Sequence, residues 1–135
     1  MSARGFTLTQ ADSDQAIVLV DDDAALLNAL SFAFETEGYA VRCFADAESL
    51  LGDAGAHGCL CFVLDQRLPG MSGLALLSAL RAQNVAAPAI LITSNPTAAV
   101  RREARAAGIE IVEKPLLDGI LARKVREAIE QRSHH

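Results

Sequence analysis

Acidic and polar residues stand at four places in this chain where an apolar run stops. Ile17 to Val20 runs into Asp21, Asp22 and Asp23, Leu60 to Leu64 into Asp65, Ala89 to Thr93 into Thr93 itself and Ser94, and Ile109 to Glu113 into Lys114 and Pro115. Three or more carboxylates gathered in a small space repel one another, and the simplest compensation is a divalent cation with hard oxygen ligands, for which Mg2+ is the natural choice. Beside such a cation a carboxylate can act as a nucleophile toward a phosphoryl group. Lys114 would supply a fixed positive charge and Thr93 a hydroxyl donor to the phosphoryl oxygens. Phosphoryl transfer asks a protein mainly for positioning and charge stabilisation, so this set is chemically sufficient without histidine or cysteine.

Each of these residues also has a plain structural explanation. An aspartate that follows a strand often caps the next helix, where its charge favours the dipole, and Asp23 is read that way. Asp65 to Gly70, with Pro69-Gly70 at its end, could be a simple turn. A threonine that ends a strand and a Lys-Pro pair carry little information singly. The spacing of the four together carries the chemical reading.

The elements that must position them are legible from periodicity. Five short β-branched runs, Ile17 to Val20, Ala40 to Cys43, Leu60 to Leu64, Ala89 to Thr93 and Ile109 to Glu113, alternate with helical stretches. That alternation predicts an α/β fold with a parallel sheet covered by helices. The first helix is expected over about Ala24 to Glu37, with Leu27, Leu30 and Phe34 inward and Gly38 closing it. A short second helix is expected over Ala47 to Leu51. The third, about Ser72 to Gln83, has Ser72 as its N-cap and Leu74, Leu77 and Leu80 at helical spacing. The fourth, about Thr97 to Ala107, turns Val100, Ala104 and Ala107 inward and leaves a basic surface with Arg101, Arg102 and Arg105. The last, about Asp118 to Gln131, buries Leu121, Val125 and Ala128 or Ile129, with Asp118 at the favourable end of the dipole. In an open parallel sheet, ligands sit beyond the carboxyl ends of the strands where strand order reverses. The four polar sites fall at that edge.

Composition narrows the function classes. The 135 residues fit one domain able to bury its own core, 51% apolar and, with one Tyr and no Trp, mostly aliphatic. A net charge of −5 gives no footprint for direct nucleic acid or anionic membrane binding. No apolar run approaches the roughly 20 residues of a membrane helix, and the N-terminus lacks the apolar region of a secretory signal, so a cytoplasmic location is the default expectation. Cys43, Cys59 and Cys61 lie in apolar segments without metal-finger spacing and are expected to be reduced core residues. Residues 1–15 are expected to form a flexible arm, 16–131 the folded domain, and 132–135, which end in Ser133, His134 and His135, a tail that looks like the remnant of a purification tag. That leaves no room for an output domain, so a standalone or excised domain is expected, with a transcription factor the commonest parent.

The segments Val20-Asp21-Asp22-Asp23, Asp65-Gln66-Arg67-Leu68-Pro69-Gly70-Met71-Ser72-Gly73, Ile92-Thr93-Ser94 and Glu113-Lys114-Pro115 resemble the receiver domains of two-component response regulators, over about residues 16–131. The resemblance implies a flavodoxin-like, doubly wound five-stranded parallel sheet of (βα)5 type in the order 2-1-3-4-5. It further implies Asp65 as the phosphoacceptor, with Mg2+ held by Asp22, Asp65, the backbone carbonyl of Arg67 and, directly or through water, Asp21. Thr93 is then the switch hydroxyl, Lys114 the lysine that pairs with the phosphoryl group, and Pro115 the residue of a cis peptide bond. Implied partners are a sensor histidine kinase or phosphotransfer protein, and a second copy through helix 4, strand 5 and helix 5. Phosphorylation is expected to reshape that surface.

Three positions depart from the family pattern. Ile111 stands where an aromatic switch residue is common, Leu116 where phenylalanine often follows Lys-Pro, and Gln66 where an apolar residue is usual after the acceptor. Ile111 and Leu116 motivate an alternative, a degenerate receiver that serves only as a protein-interaction module. A phosphatase with an aspartyl nucleophile commonly needs a second acid two residues on, and that position is Arg67.

Overall fold

The computed structural model describes residues 16–116 and 119–133. The expected arm at 1–15, Asp118 at the start of the last helix, and the two terminal histidines lie outside the described residues.

Five parallel strands, β1 (Ala16–Val20), β2 (Ala40–Phe44), β3 (Cys61–Asp65), β4 (Ala89–Thr93) and β5 (Glu110–Glu113), form one sheet in the order β2-β1-β3-β4-β5. Every residue of β1, β3 and β4 is buried, as expected for central strands covered on both faces, and this is why they read as continuous apolar runs. The edge strands β2 and β5 are partly exposed. Strand order reverses between β1 and β3, the expected flavodoxin-like arrangement.

Alternate strand residues serve two cores. Ile17, Leu19, Cys61, Val63, Ile90 and Ile92 pack with helices α1 (Ala24–Thr36) and α5 (Ile120–Ser133) through Leu27, Phe34, Leu121 and Val125. Val18, Val20, Phe62, Leu64 and Leu91 face α2 (Ala47–Leu51), α3 (Gly73–Ala82) and α4 (Ala98–Ala106) through Leu50, Leu74, Leu77, Leu80 and Ala104. The expected Leu30, Ala128 and Ile129 sit half-buried at the margin of the first core.

Helix starts follow local chemistry. Asp23, Asp46, Ser72 and Thr97 each accept a hydrogen bond from the backbone N–H three residues on, capping α1 to α4. Gly38 and Gly108, at φ +97° and +73°, turn the chain out of α1 and α4 into the next strand.

Two expectations are corrected. Ala107 is exposed, because α4 ends at Ala106 and the chain turns away at Gly108 before the next inward position is reached. Cys43 is exposed too: it pairs with Leu19 on the α1 face, but β2 is an edge strand that α1 leaves partly uncovered, and its Sγ lies 3.0 Å from Ser31 Oγ. Cys59 and Cys61 are buried free thiols. Among the described residues no helix is long and apolar enough to cross a membrane.

Candidate functional site

The carboxyl ends of β1, β3, β4 and β5 are held in register by backbone bonds that continue past the strands. Asp21 N–H donates to Phe44 O, Gln66 N–H to Ile92 O and Lys114 N–H to Thr93 O, at 3.1, 2.9 and 2.9 Å. Because the sheet fixes these backbones, it also fixes where their polar side chains converge.

Oxygens of Asp21, Asp22 and Asp65 lie within 4.8 Å of one another, with Asp21 and Asp65 buried and Asp22 exposed. Lys114, arriving from the far edge of the sheet, places Nζ 3.0 Å from Asp21 Oδ2 and 3.5 Å from Asp65 Oδ1. Asp21 Oδ1 also accepts from Asp23 N–H at 2.9 Å, and Asp65 Oδ1 from Arg67 N–H at 3.3 Å. Asp23 itself faces away as the α1 cap, accepting from Leu26 N–H.

The electrostatics are those of an under-compensated acidic site. Burial pushes the Asp65 carboxyl above the ordinary carboxylate range and the Asp21 charge pushes it further, while Arg67 N–H and the Lys114 ammonium pull it back. Burial works against the Lys114 ammonium, but the hydrogen bond and charge of Asp21, then of Asp65, outweigh it and hold the lysine above its usual value. A donor set of hard oxygens with one exposed member fits an ion of the Mg2+ class and not a soft metal.

Thr93 is buried one step beyond Ile92, the residue paired with Asp65, and its hydroxyl donates to Ser94 O at 3.4 Å, the long end of the useful range. The Lys114–Pro115 bond is cis. Ile111 is half-buried on β5 and lines grooves on both sides of that strand, about 500 Å3 toward α5 and about 240 Å3 toward α4. Leu116 packs against the core shared by α1 and α5.

Two residues quoted in the motif turn out to have structural work that sequence reasoning did not assign. Gln66 accepts twice from the start of α3, through its carbonyl from Gly73 N–H at 3.0 Å and through Oε1 from Leu74 N–H at 3.0 Å. Gly73 is packed so tightly on Asp65 that a Cβ there would lie 2.5 Å from the Asp65 carbonyl oxygen and 2.8 Å from Leu91 Cδ1. A glutamine in place of an apolar residue was a signal for the first, while nothing in the sequence marked Gly73 as a contact.

A sequence model of the response regulator receiver domain matches residues 17–126. Transcriptional regulatory protein FixJ of Bradyrhizobium diazoefficiens is 33% identical over 116 residues, covering 85% of this chain and 57% of that protein. Response regulator protein TmoT of Ectopseudomonas mendocina is 35% identical over 119 residues, covering 87% and 54%. The chain thus spans about half the length of these curated relatives. Among solved structures, a CheY-like response regulator receiver domain protein from Methanospirillum hungatei superimposes with a TM-score of 0.79 at 25% identity, covering 89% of this chain and 97% of that one. With the parallel sheet in the order β2-β1-β3-β4-β5 and the acidic cluster beyond its strands, these matches identify the chain as a member of the response regulator receiver domain family of two-component signalling.

Proposed function

We propose that Asp65 accepts a phosphoryl group from a phosphohistidine on a sensor kinase or phosphotransfer protein, and that the α4–β5–α5 surface carries the resulting signal to an output domain or partner. One observation carries this reading: three carboxylates, Asp21, Asp22 and Asp65, meet within 4.8 Å, with the Lys114 ammonium 3.0 and 3.5 Å from the two buried ones. In the transfer, an Asp65 oxygen forms a bond to phosphorus as the phosphorus–nitrogen bond breaks, and its electron pair stays on the imidazole.

Asp22, Asp65 and the Arg67 carbonyl would hold Mg2+, with Asp21 joining directly or through water. When bound, the ion offsets charge on the transferring phosphoryl group. Lys114 exchanges part of its pairing with Asp21 and Asp65 for a phosphoryl oxygen, and Thr93, loosely bonded at 3.4 Å, turns its hydroxyl to another. New charge at Asp65 thereby biases Thr93 and the adjoining β5 edge.

The test is intact-mass analysis after incubation with acetyl phosphate and Mg2+, with wild type and Asp65→Asn side by side. A gain of one phosphoryl group in wild type alone supports the reading. No adduct under conditions that preserve acyl phosphates would overturn it in favour of an interaction-only receiver.

A further inference from the structure

Gln66 lies between the two residues to which the proposed function assigns the acceptor carboxylate and the metal-facing carbonyl. Its neighbours leave little slack. The Gln66 N–H is bonded to Ile92 O of β4, its carbonyl accepts from Gly73 N–H, and its side-chain Oε1 accepts from Leu74 N–H at 3.0 Å. Ser72 Oγ accepts from Ala75 N–H, so the first three N–H groups of α3 are all engaged. The loop between, residues 67–72, is closed by a bridge between Arg67 and Ser72 and touches the acceptor through the bond from Arg67 N–H to Asp65 Oδ1. Close packing of Gly73 on the Asp65 carbonyl seats the same helix start against the strand end.

We infer that Gln66 is a positioning residue for cation binding: its side-chain bond to Leu74 N–H locks the 67–72 loop to α3 and so holds the Arg67 carbonyl where the ion of the acidic cluster needs it. The inference rests on the proposed function. An apolar residue at this position could keep the backbone bond to Gly73 but would free Leu74 N–H, and position 66 would lose one of its two hydrogen bonds to the start of α3. The glutamine is thus a substitute lock, built from a side chain, in a loop that presents a main-chain ligand. Loss of partners that orient metal ligands from outside the coordination shell typically costs about 10–100-fold in metal affinity.

The test is a Mg2+ titration of the full chain followed by amide chemical shifts, for wild type, Gln66→Met and Gln66→Glu. Methionine matches the length without the acceptor oxygen and should raise the Mg2+ dissociation constant about tenfold, the lower end for such partners. Glutamate keeps the acceptor and should bind Mg2+ at least as well as wild type. A Gln66→Met affinity equal to wild type, or a Gln66→Glu loss equal to that of Gln66→Met, would overturn the assignment even if thermal stability fell. Hydrogen exchange in the unmutated protein gives a second measure: by linkage, saturating Mg2+ should slow exchange at Leu74 N–H by about the same tenfold, and unchanged protection would overturn the assignment. If wild type neither binds Mg2+ nor takes a phosphoryl group from acetyl phosphate, the proposed function falls and this inference with it. If wild type does both while Gln66→Met matches its affinity, only this inference falls.

Discussion

Replacing Lys114 by methionine removes the one positive charge that, among the described residues, faces both buried carboxylates, while keeping most of the side-chain bulk. At an effective dielectric of about 20, an ammonium 3.0 Å from Asp21 and 3.5 Å from Asp65 is attracted by roughly 5 kcal/mol to each, against a repulsion of at least about 3 kcal/mol between carboxylates no more than 4.8 Å apart. The net loss is smaller, because the variant no longer desolvates an ammonium. Breaking a fully buried pair costs about 3–5 kcal/mol, and with the Lys114 side chain 23% exposed we expect roughly 2–4 kcal/mol. In urea unfolding at pH 7 with EDTA, that lowers the midpoint by about 1–2 M. The deficit should depend on pH with a definite sign. The folded pKa of Asp65 is raised, so its contribution to stability is present below the unfolded carboxyl value and is lost as pH rises through the folded value. Without Lys114 to pull it down, the folded value rises further and that loss runs on to a higher pH, so acidification from about pH 7 toward the ordinary carboxylate range should shrink the gap to wild type, whose lysine stays charged throughout. A variant within about 0.5 kcal/mol of wild type at pH 7, or a deficit that acid leaves unchanged, would refute this account of the site.

Three further outcomes are expected. Asp65→Asn should stabilise the metal-free fold at pH 7 by roughly 1–2 kcal/mol, since it relieves the cost of burying the Asp65 charge and its repulsion by Asp21, which together outweigh the pull of Arg67 N–H and Lys114, and the gain should fade as pH falls through the raised Asp65 value; equal or lower stability at pH 7 in urea unfolding would contradict this. Gly73→Ala should cost about 1–3 kcal/mol in the same assay despite the better helix propensity of alanine, because its Cβ overlaps the Asp65 carbonyl. Of the three thiols, Cys43 alone should react with a thiol reagent at pH 8 in the folded protein, since burial pushes Cys59 up to about 12 and, with the nearby Cys59, pushes Cys61 higher still; fast labelling of more than one site would show a looser core.

Much of this molecule was legible because its signals are redundant. Central strands buried on both faces must be continuously apolar, so the ends of Ile17 to Val20 and Ala89 to Thr93 are marked by the first polar residue, and the same residue opens the site. Edge strands gave weaker marks: Ile109 looked like strand but precedes β5, and Cys43 looked like core because an edge strand keeps an apolar alternation on a face that α1 only partly covers. Asp23 was read correctly as a cap from its place alone, since capping is local chemistry. Gly73 was not legible as a contact, and Gln66 was marked only by standing where an apolar residue is usual, because what matters there is the approach of α3 to the end of β3, a tertiary distance that periodicity does not encode. Ala107 failed for a related reason: helical phase continues on paper past the point where Gly108 turns the backbone.

The distribution of rigidity around Asp65 gives its chemistry a direction. The carbonyl of Asp65 is pressed by Gly73, its carboxylate is bonded to Arg67 N–H and approached by Lys114, and Asp21 opposite is held by β2 through its backbone and by Asp23 N–H through its side chain. These groups sit on paired strands or a capped helix start, so a change in charge cannot be absorbed by small independent shifts among them. Thr93 differs: its hydroxyl has a 3.4 Å bond to Ser94 O, and beyond it β5 is an edge strand with open grooves on both sides that share Ile111. On the phosphoacceptor reading, the response to new charge therefore leaves through Thr93 toward β5, where repacking meets the least resistance. With an isoleucine and not an aromatic ring at 111, packed on the α4 side of β5, that response would take the form of a movement of Ile111 within the α4 groove, and Ile111→Ala should weaken the phosphorylation-dependent amide shifts on α4 and α5 while leaving Asp65 phosphorylation by acetyl phosphate intact. Undiminished shifts in that variant would move the route elsewhere.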